Sequence, residues 1–145
     1  MQLRAIMQLR ILAIGKLKQP GLEALVDEYQ QRARTLLPIE LVHLRDLAGL
    51  RARAGRPRVV LDERGTQVDS EGLAQWIGDW RARGERRIDW LIGDAHGFDD
   101  ADRQDADRVL ALSKLTLPHR IAQLLLVEQL YRAGTILAGH PYHHA

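Results

Sequence analysis

The residues best suited to chemistry are concentrated in the last third of the sequence. The stretch "LSKLTLPHR" sets Ser113, Lys114, Thr116 and His119 around Pro118. Farther on, Glu128 and Arg132 stand four apart beside Tyr131, and the chain closes on "HPYHHA". Glu128 and Arg132 at helical spacing first read as an ordinary i,i+4 ion pair contributing a few tenths of a kcal/mol. Ser113 and Thr116 have a plain alternative as satisfied loop hydroxyls, and Lys114 as a surface charge. Asp62 and Asp94 follow short apolar runs and are a conceivable acid–base pair, although nothing in their spacing brings them together. Six histidines raise the question of a metal, and three of them fall in the last six residues. With no cysteine and no helical H-x-x-x-H pair, a metal site is disfavoured. The histidine-rich end reads equally well as a frayed tail.

Several common devices are missing. The sequence has no G-x-x-x-x-G-K, no G-x-G-x-x-G after its first apolar run and no G-x-S-x-G. Pro118 lacks a backbone N–H and cannot continue a strand, but it can open a helix. The stretch therefore predicts a strand ending at a helix N-terminus, where main-chain groups are free to meet a ligand. A site built that way suits a cofactor that brings its own reactive group.

The elements that must position these residues alternate along the chain. Short apolar runs at residues 9–14, 39–44, 59–61, 88–92 and 112–117 predict strands, with "DERG" turning the third. Helical spacing over residues 22–36 and 70–83 predicts helices, with Ser70 as the cap of the second. A short helix is expected over 102–110 and a long one over 118–139. Runs separated by helices predict an α/β fold, a parallel sheet of about five strands covered on both faces. Ligands in such sheets bind beyond the carboxyl ends of the strands, here Leu61-Asp62, Ile92-Gly93 and Leu117-Pro118. The last helix is apolar nearly all round through Ile121, Leu124, Leu125, Leu126 and Val127, which calls for a second partner such as a copy of the same chain.

The bulk properties set the frame. The 145 residues suit one domain, the absence of cysteine fits the cytoplasm, and no window approaches a membrane span. "MQLR" occurs at residues 1–4 and again at 7–10, and only the second copy runs into a strand. Residues 1–6 therefore read as an extension or alternative start, and 7–145 as the domain. Formal charge is only +2 but unevenly spread. Arg45, Arg51, Arg53, Arg56 and Arg58 form one basic block, and Arg81, Arg83, Arg86 and Arg87 another. Asp99, Asp100, Asp102, Asp105 and Asp107 form an acidic counterweight. The basic blocks suit phosphates or are simply solvated helix ends and loops.

"LSKLTLPH", "VEQLYRA" and "HPYHH", in this order, resemble the RlmH family of SPOUT-class methyltransferases, which modify a pseudouridine in 23S rRNA. "MQLRILAIGKLK", "VVLDERG" and "LIGDAHGF" are similar to its opening strand, central strand and glycine loop, so the resemblance spans residues 7–145. It implies a C-terminal trefoil knot, an exception to unknotted topology, and a homodimer that binds S-adenosyl-L-methionine (AdoMet). Carried over by position, the cofactor would lie on Leu61, Gly93, Leu112, Ser113, Lys114, Leu115, Thr116 and Leu117. The catalytic set would be His119, Glu128, Arg132, Tyr142 and His143. The implied reaction places a methyl group on N3 of a pseudouridine in the helix 69 loop, within the assembled ribosome or large subunit, without metal or membrane. The chain departs from the family pattern at Asp94, where a second glycine is usual, at His96, and in a shorter connection over residues 45–58. A non-catalytic RNA-binding protein of the same fold and a tRNA-directed SPOUT enzyme are the alternatives, the first favoured by Asp94.

Overall fold

The computed structural model describes residues 7–144, except for the side chains of 143 and 144. The expected extension, residues 1–6, lies outside the described residues. The elements are β1 (Gln8–Ile14), α1 (Pro20–Ala33), β2 (Ile39–Leu44), α2 (Leu47–Arg53), β3 (Arg58–Thr66) and α3 (Ser70–Ala82). They continue with β4 (Arg87–Ile92), α4 (Asp100–Asp105), β5 (Arg108–Leu110), α5 (His119–Ala138) and a 3-10 turn at Pro141–His144. All strand pairs are parallel, in the order β2-β1-β4-β3-β5.

Side chains alternate between two cores, as the period of a strand requires. Leu9, Ile11 and Ala13 of β1 and Ile88, Trp90 and Ile92 of β4 face the helices α1, α3 and α5. Leu12, Leu91 and Val60 face α2 and the segment leading to α4, meeting Leu50 and Phe98. α5 lies between α1 and α3 and buries Leu126, Val127, Leu130 and Ala133 completely. Three helices therefore cover one face of the sheet, and α2 with the segment leading to α4 packs on the other.

Four expectations need correction. The fifth strand is Arg108–Leu110, and residues 112–117 form a loop. The helix before it stops at Asp105, short of the expected residue 110; a capping box between Asp99 and Asp102 opens it, and none of its residues is buried. The "DERG" sequence does not turn the chain, since β3 runs on to Thr66. It carries an irregularity, so that Leu61 and Thr66 both pair with Leu110, and the Ala111 N–H donates to the Thr66 carbonyl at 3.0 Å. Gly65 is required at this crossing, because a Cβ there would stand 2.7 Å from the Val109 carbonyl. Finally, Asp69 and not Ser70 caps α3, and the Ser70 hydroxyl instead donates to Gln129 at 2.7 Å.

A buried ion pair joins the two central strands. Arg10 and Asp89 are register partners on β1 and β4, each almost wholly enclosed. Asp89 accepts from Arg10 Nε at 3.0 Å, from its Nη2 at 2.7 Å and from the Gly55 N–H at 2.6 Å. Arg10 also donates to the Arg53 carbonyl at 3.2 Å, so the pair fixes the exit of α2. Above it the first arginine block meets the aspartates: Arg51 on Asp102 at 2.7 Å, Arg56 on Asp105 at 2.6 Å, and Arg58 on Asp105 at 3.4 Å. Arg51, Arg56 and Arg58 are thereby neutralised within the fold. Arg81, Arg83 and Arg86 are exposed and have no such partners among the described residues.

Removing one member of a buried pair strands the other charge. Asp89→Ala is expected to lower stability by about 3–5 kcal/mol in urea unfolding, with Arg10 left uncompensated. The hydrogen bond from Arg51 holds the Asp102 carboxyl down to about 2 from an ordinary 3.8. A depressed carboxylate stabilises the fold above its unfolded pKa and loses that contribution as pH falls through the folded value. Stability should therefore drop between pH 3.8 and about 2, and Asp102→Asn should flatten that part of the curve in pH-dependent unfolding.

Candidate functional site

The ends of β3, β4 and β5 open into a cleft of about 510 Å³, within the usual range for small-molecule sites. Leu61, Ile92, Leu110, Leu112, Leu115 and Leu117 supply apolar walls, and Asp62, Glu63, Asp94, Ser113, Thr116 and His119 polar ones. Of the expected cofactor residues, Leu61, Gly93, Leu112, Ser113, Leu115, Thr116 and Leu117 all line this cleft. Lys114 does not, and is exposed beside it.

The loop at 112–117 owes its shape to the lack of a strand partner. Among the described residues its only main-chain hydrogen bond runs from the Leu115 N–H to Ser113 Oγ at 2.9 Å. The remaining peptide groups have no partner among the described residues, and such groups seek one. Thr116 Oγ1 donates to Glu63 at 2.8 Å and so ties the loop to β3 across the cleft. Leu115, 75 % exposed, is the most open of the large apolar side chains.

The opposite wall is the glycine loop after β4. Gly93 is buried against Phe98, whose ring would lie 3.3 Å from a Cβ at that position. The left-handed residue of the loop is Gly97, with φ +70°, so Asp94 occupies no unusual backbone conformation. Its carboxylate accepts from the His96 N–H at 3.0 Å, and its carbonyl accepts from Gly97 at 2.9 Å. Asp94 builds the turn that an aspartate side chain favours. Asp62 and Asp94 do share the cleft, but Asp62 is already held by Arg103 at 3.0 Å and by the Arg64 N–H at 2.9 Å.

His119 opens α5 at the cleft, with its ring packed on Gly15, where a Cβ would stand 2.9 Å from Nε2. One turn on, Gln123 is fully buried. It donates to the Gly15 carbonyl at 3.0 Å, and its Oε1 lies 2.9 Å from His43 Nε2. Sequence reading missed Gln123, although it is the one polar residue in "IAQLLLV". A lone glutamine in such a run is a signal of a satisfied buried amide.

Glu128, Arg132 and Tyr142 form a second group. Glu128 Oε1 accepts from Arg132 Nε at 3.0 Å, Arg132 Nη2 at 2.5 Å and the Tyr142 hydroxyl at 3.0 Å. The Arg132 guanidinium lies over the Tyr142 ring at 4.9 Å, and that ring packs on Tyr131 at 4.7 Å. Burial, reinforced by hydrogen bonding, pushes the Tyr142 phenol above its ordinary range, so it stays a neutral donor at physiological pH. The expected ion pair is thus a three-membered node that docks the C-terminal turn on α5. The side chain of His143 lies outside the described residues. Arg132 stands thirteen residues after His119, about 20 Å along the helix axis, and none of the node lines the cleft. Within one chain the two groups are separate. Among the described residues no set of histidine and carboxylate side chains is arranged to hold a metal, and no helix is long and apolar enough to cross a membrane.

Comparison with known proteins agrees with this architecture. A family model described as "Predicted SPOUT methyltransferase" matches residues 7–143. The ribosomal RNA large subunit methyltransferase H of Geobacter metallireducens is 42% identical over 154 residues, covering 96% of this chain and 100% of that protein. A protein of the same name from Thermus thermophilus is 44% identical over 138 residues, covering 94% of this chain and 98% of its own. Among solved structures, a probable methylase family protein from Haemophilus influenzae superposes with a TM-score of 0.59 at 12% identity, over 90% of this chain and 66% of that one. A probable methyltransferase from Bordetella pertussis gives 0.57 at 12% identity, over 89% and 97%. The two structures speak for the fold alone. With relatives this similar over nearly their whole length, the chain belongs to the ribosomal RNA large subunit methyltransferase H family of SPOUT methyltransferases.

Proposed function

We propose that this methyltransferase uses AdoMet to methylate N3 of a pseudouridine in the helix 69 loop of 23S rRNA, acting as a homodimer on the ribosome or large subunit. The observation that carries the reading is the cleft, whose wall at 112–117 offers unpartnered main-chain groups. The residues present fit the cofactor. Apolar walls suit an adenosine, free peptide groups suit its polar edges, and Glu63 and Asp94 suit a positively charged ligand. Leu61, Gly93, Leu112, Ser113, Leu115, Thr116 and Leu117 would hold it, with Lys114 at the rim. When bound, AdoMet supplies an electrophilic methyl group on a sulfonium centre. A C-terminal knot, with β5 seated between Leu61 and Thr66, belongs to the same proposal.

The protein's share is alignment and proton removal. His119, fixed on Gly15, supports the helix end beneath the cofactor loop. Glu128 orients Arg132, which engages the RNA as a cation, and Tyr142 covers the base with its ring. His143 accepts the N3 proton as the N–methyl bond forms. A loop whose base can be splayed out is the kind of RNA that permits this. Asp94 gives no support to a non-catalytic reading, since its carboxylate is engaged in the turn.

The separation of node from cleft motivates the homodimer, with the tail of one protomer meeting the cleft of its partner. The outer surface of α1 and α5 leaves Leu25, Ile121 and Leu125 about two-fifths exposed, an apolar face suited to a second copy.

Labelled AdoMet incubated with large subunits lacking the modification should place one methyl group on N3 of the helix 69 pseudouridine. Label elsewhere, or none, would overturn the substrate assignment. Gly93→Val and Arg132→Ala should each be inactive alone. After mixing and subunit exchange, activity should recover to roughly a quarter of wild type, because heterodimers keep one intact site. No recovery would argue that each site is built within a single chain.

A further inference from the structure

Beside the cofactor cleft, the ends of β1 and β2 meet the start of α5. Ile14 pairs with Leu44, Gly15 carries the His119 ring, and Gln123 links Gly15 to His43. The residues that follow these contacts are cationic. Lys16 and Lys18 follow β1, Arg45 follows β2, and Arg120 follows His119. Lys16, Lys18 and Arg45 are exposed, and none of the four side chains has a hydrogen bond or ion pair among the described residues. Arg120 Nε is, in addition, buried without a partner, a costly state for a charged donor. The contrast with Arg51, Arg56 and Arg58 is sharp, since those guanidinium groups are matched by aspartates.

We infer that Lys16, Lys18, Arg45 and Arg120 form a phosphate-binding rim that holds the RNA backbone beside the cleft. The inference rests on the proposed RNA substrate and extends it, since none of these residues belongs to the expected catalytic or cofactor set. The unpaired arginines at 81, 83 and 86 lie at the amino edge of the sheet, preceding β4, and so cannot serve the same cleft. RNA phosphates bound by lysine and arginine release counterions, and the salt dependence of affinity counts them.

The test measures binding of the full-length protein to large ribosomal subunits lacking the modification, over a range of salt, alongside binding of labelled AdoMet. Lys16→Gln/Lys18→Gln/Arg45→Gln changes only exposed side chains. It should weaken subunit binding on the order of tenfold or more at moderate salt and lower the magnitude of the log–log salt slope by about 2. AdoMet affinity and oligomeric state should be unchanged. Arg120→Gln should act in the same direction, and Arg81→Gln/Arg83→Gln/Arg86→Gln should leave the slope alone. An unchanged slope in the triple rim variant overturns the inference. So does a change in oligomeric state, which would make the rim a contact between copies, or an equal loss of AdoMet affinity. If wild-type protein binds subunits with a steep slope that the rim variant loses, yet transfers no methyl group, the substrate assignment fails and the rim stands.

Discussion

The ion pair between Arg10 and Asp89 fixes the register of the two central strands, and the site is arranged from there. A slip of one residue between β1 and β4 would turn every side chain to the wrong face, and this pair would then be thrust among the apolar residues beneath α5. The ends of the same two strands carry Gly15 and Gly93, which support His119 and one wall of the cleft. From Asp89 the order spreads outward. Gly55 and the Arg53 carbonyl are pinned, α2 is held, and Arg51 reaches Asp102 of α4. From the same helix Arg103 grips Asp62 at the edge of the cleft. A pair that contributes little net stability for its burial can still specify one arrangement, and here that arrangement includes the binding site.

Much of this was legible in the residues, for identifiable reasons. Residues 9–14, 39–44 and 88–92 declared strands because a short apolar run between helical segments is what a parallel strand covered on both faces requires. The cleft was legible from Pro118, which had to end one element and begin another. Where reading failed, a tertiary contact had overridden a local pattern. Residues 112–117 read as a strand-like apolar run but have no edge to pair with once Thr66 has taken the Ala111 N–H. The brief strand at Arg108–Leu110 was hidden because only Val109 and Leu110 are apolar, and "DERG" carried the letters of a turn while pairing as a strand. The basic and acidic blocks could be seen but not matched to each other, since their contacts cross about fifty residues.

The catalytic candidates divide along the same line. Spacing alone gave Glu128 and Arg132 as a helix-surface pair, and nothing local announced that Tyr142 would return to share the same carboxylate oxygen. That return converts a surface pair into the anchor of the C-terminal turn and places the tail about four helical turns from the cleft of its own chain. The resemblance supplied the residues of both groups, and the fold supplies their separation.

The contact between Gln123 and the Gly15 carbonyl joins residues 108 positions apart, and the cleft is closed by segments from the last third of the chain. A nascent polypeptide can pair β1 with β2 early, but it has no cofactor wall until residues 112–117 and the start of α5 have been made. Strand pairings and helix contacts at such long separation form slowly, because loop closure precedes any gain from the contact. Competence to bind a ligand is thereby deferred to the end of synthesis, and a truncated chain would present a half-built sheet with its carboxyl edge uncovered.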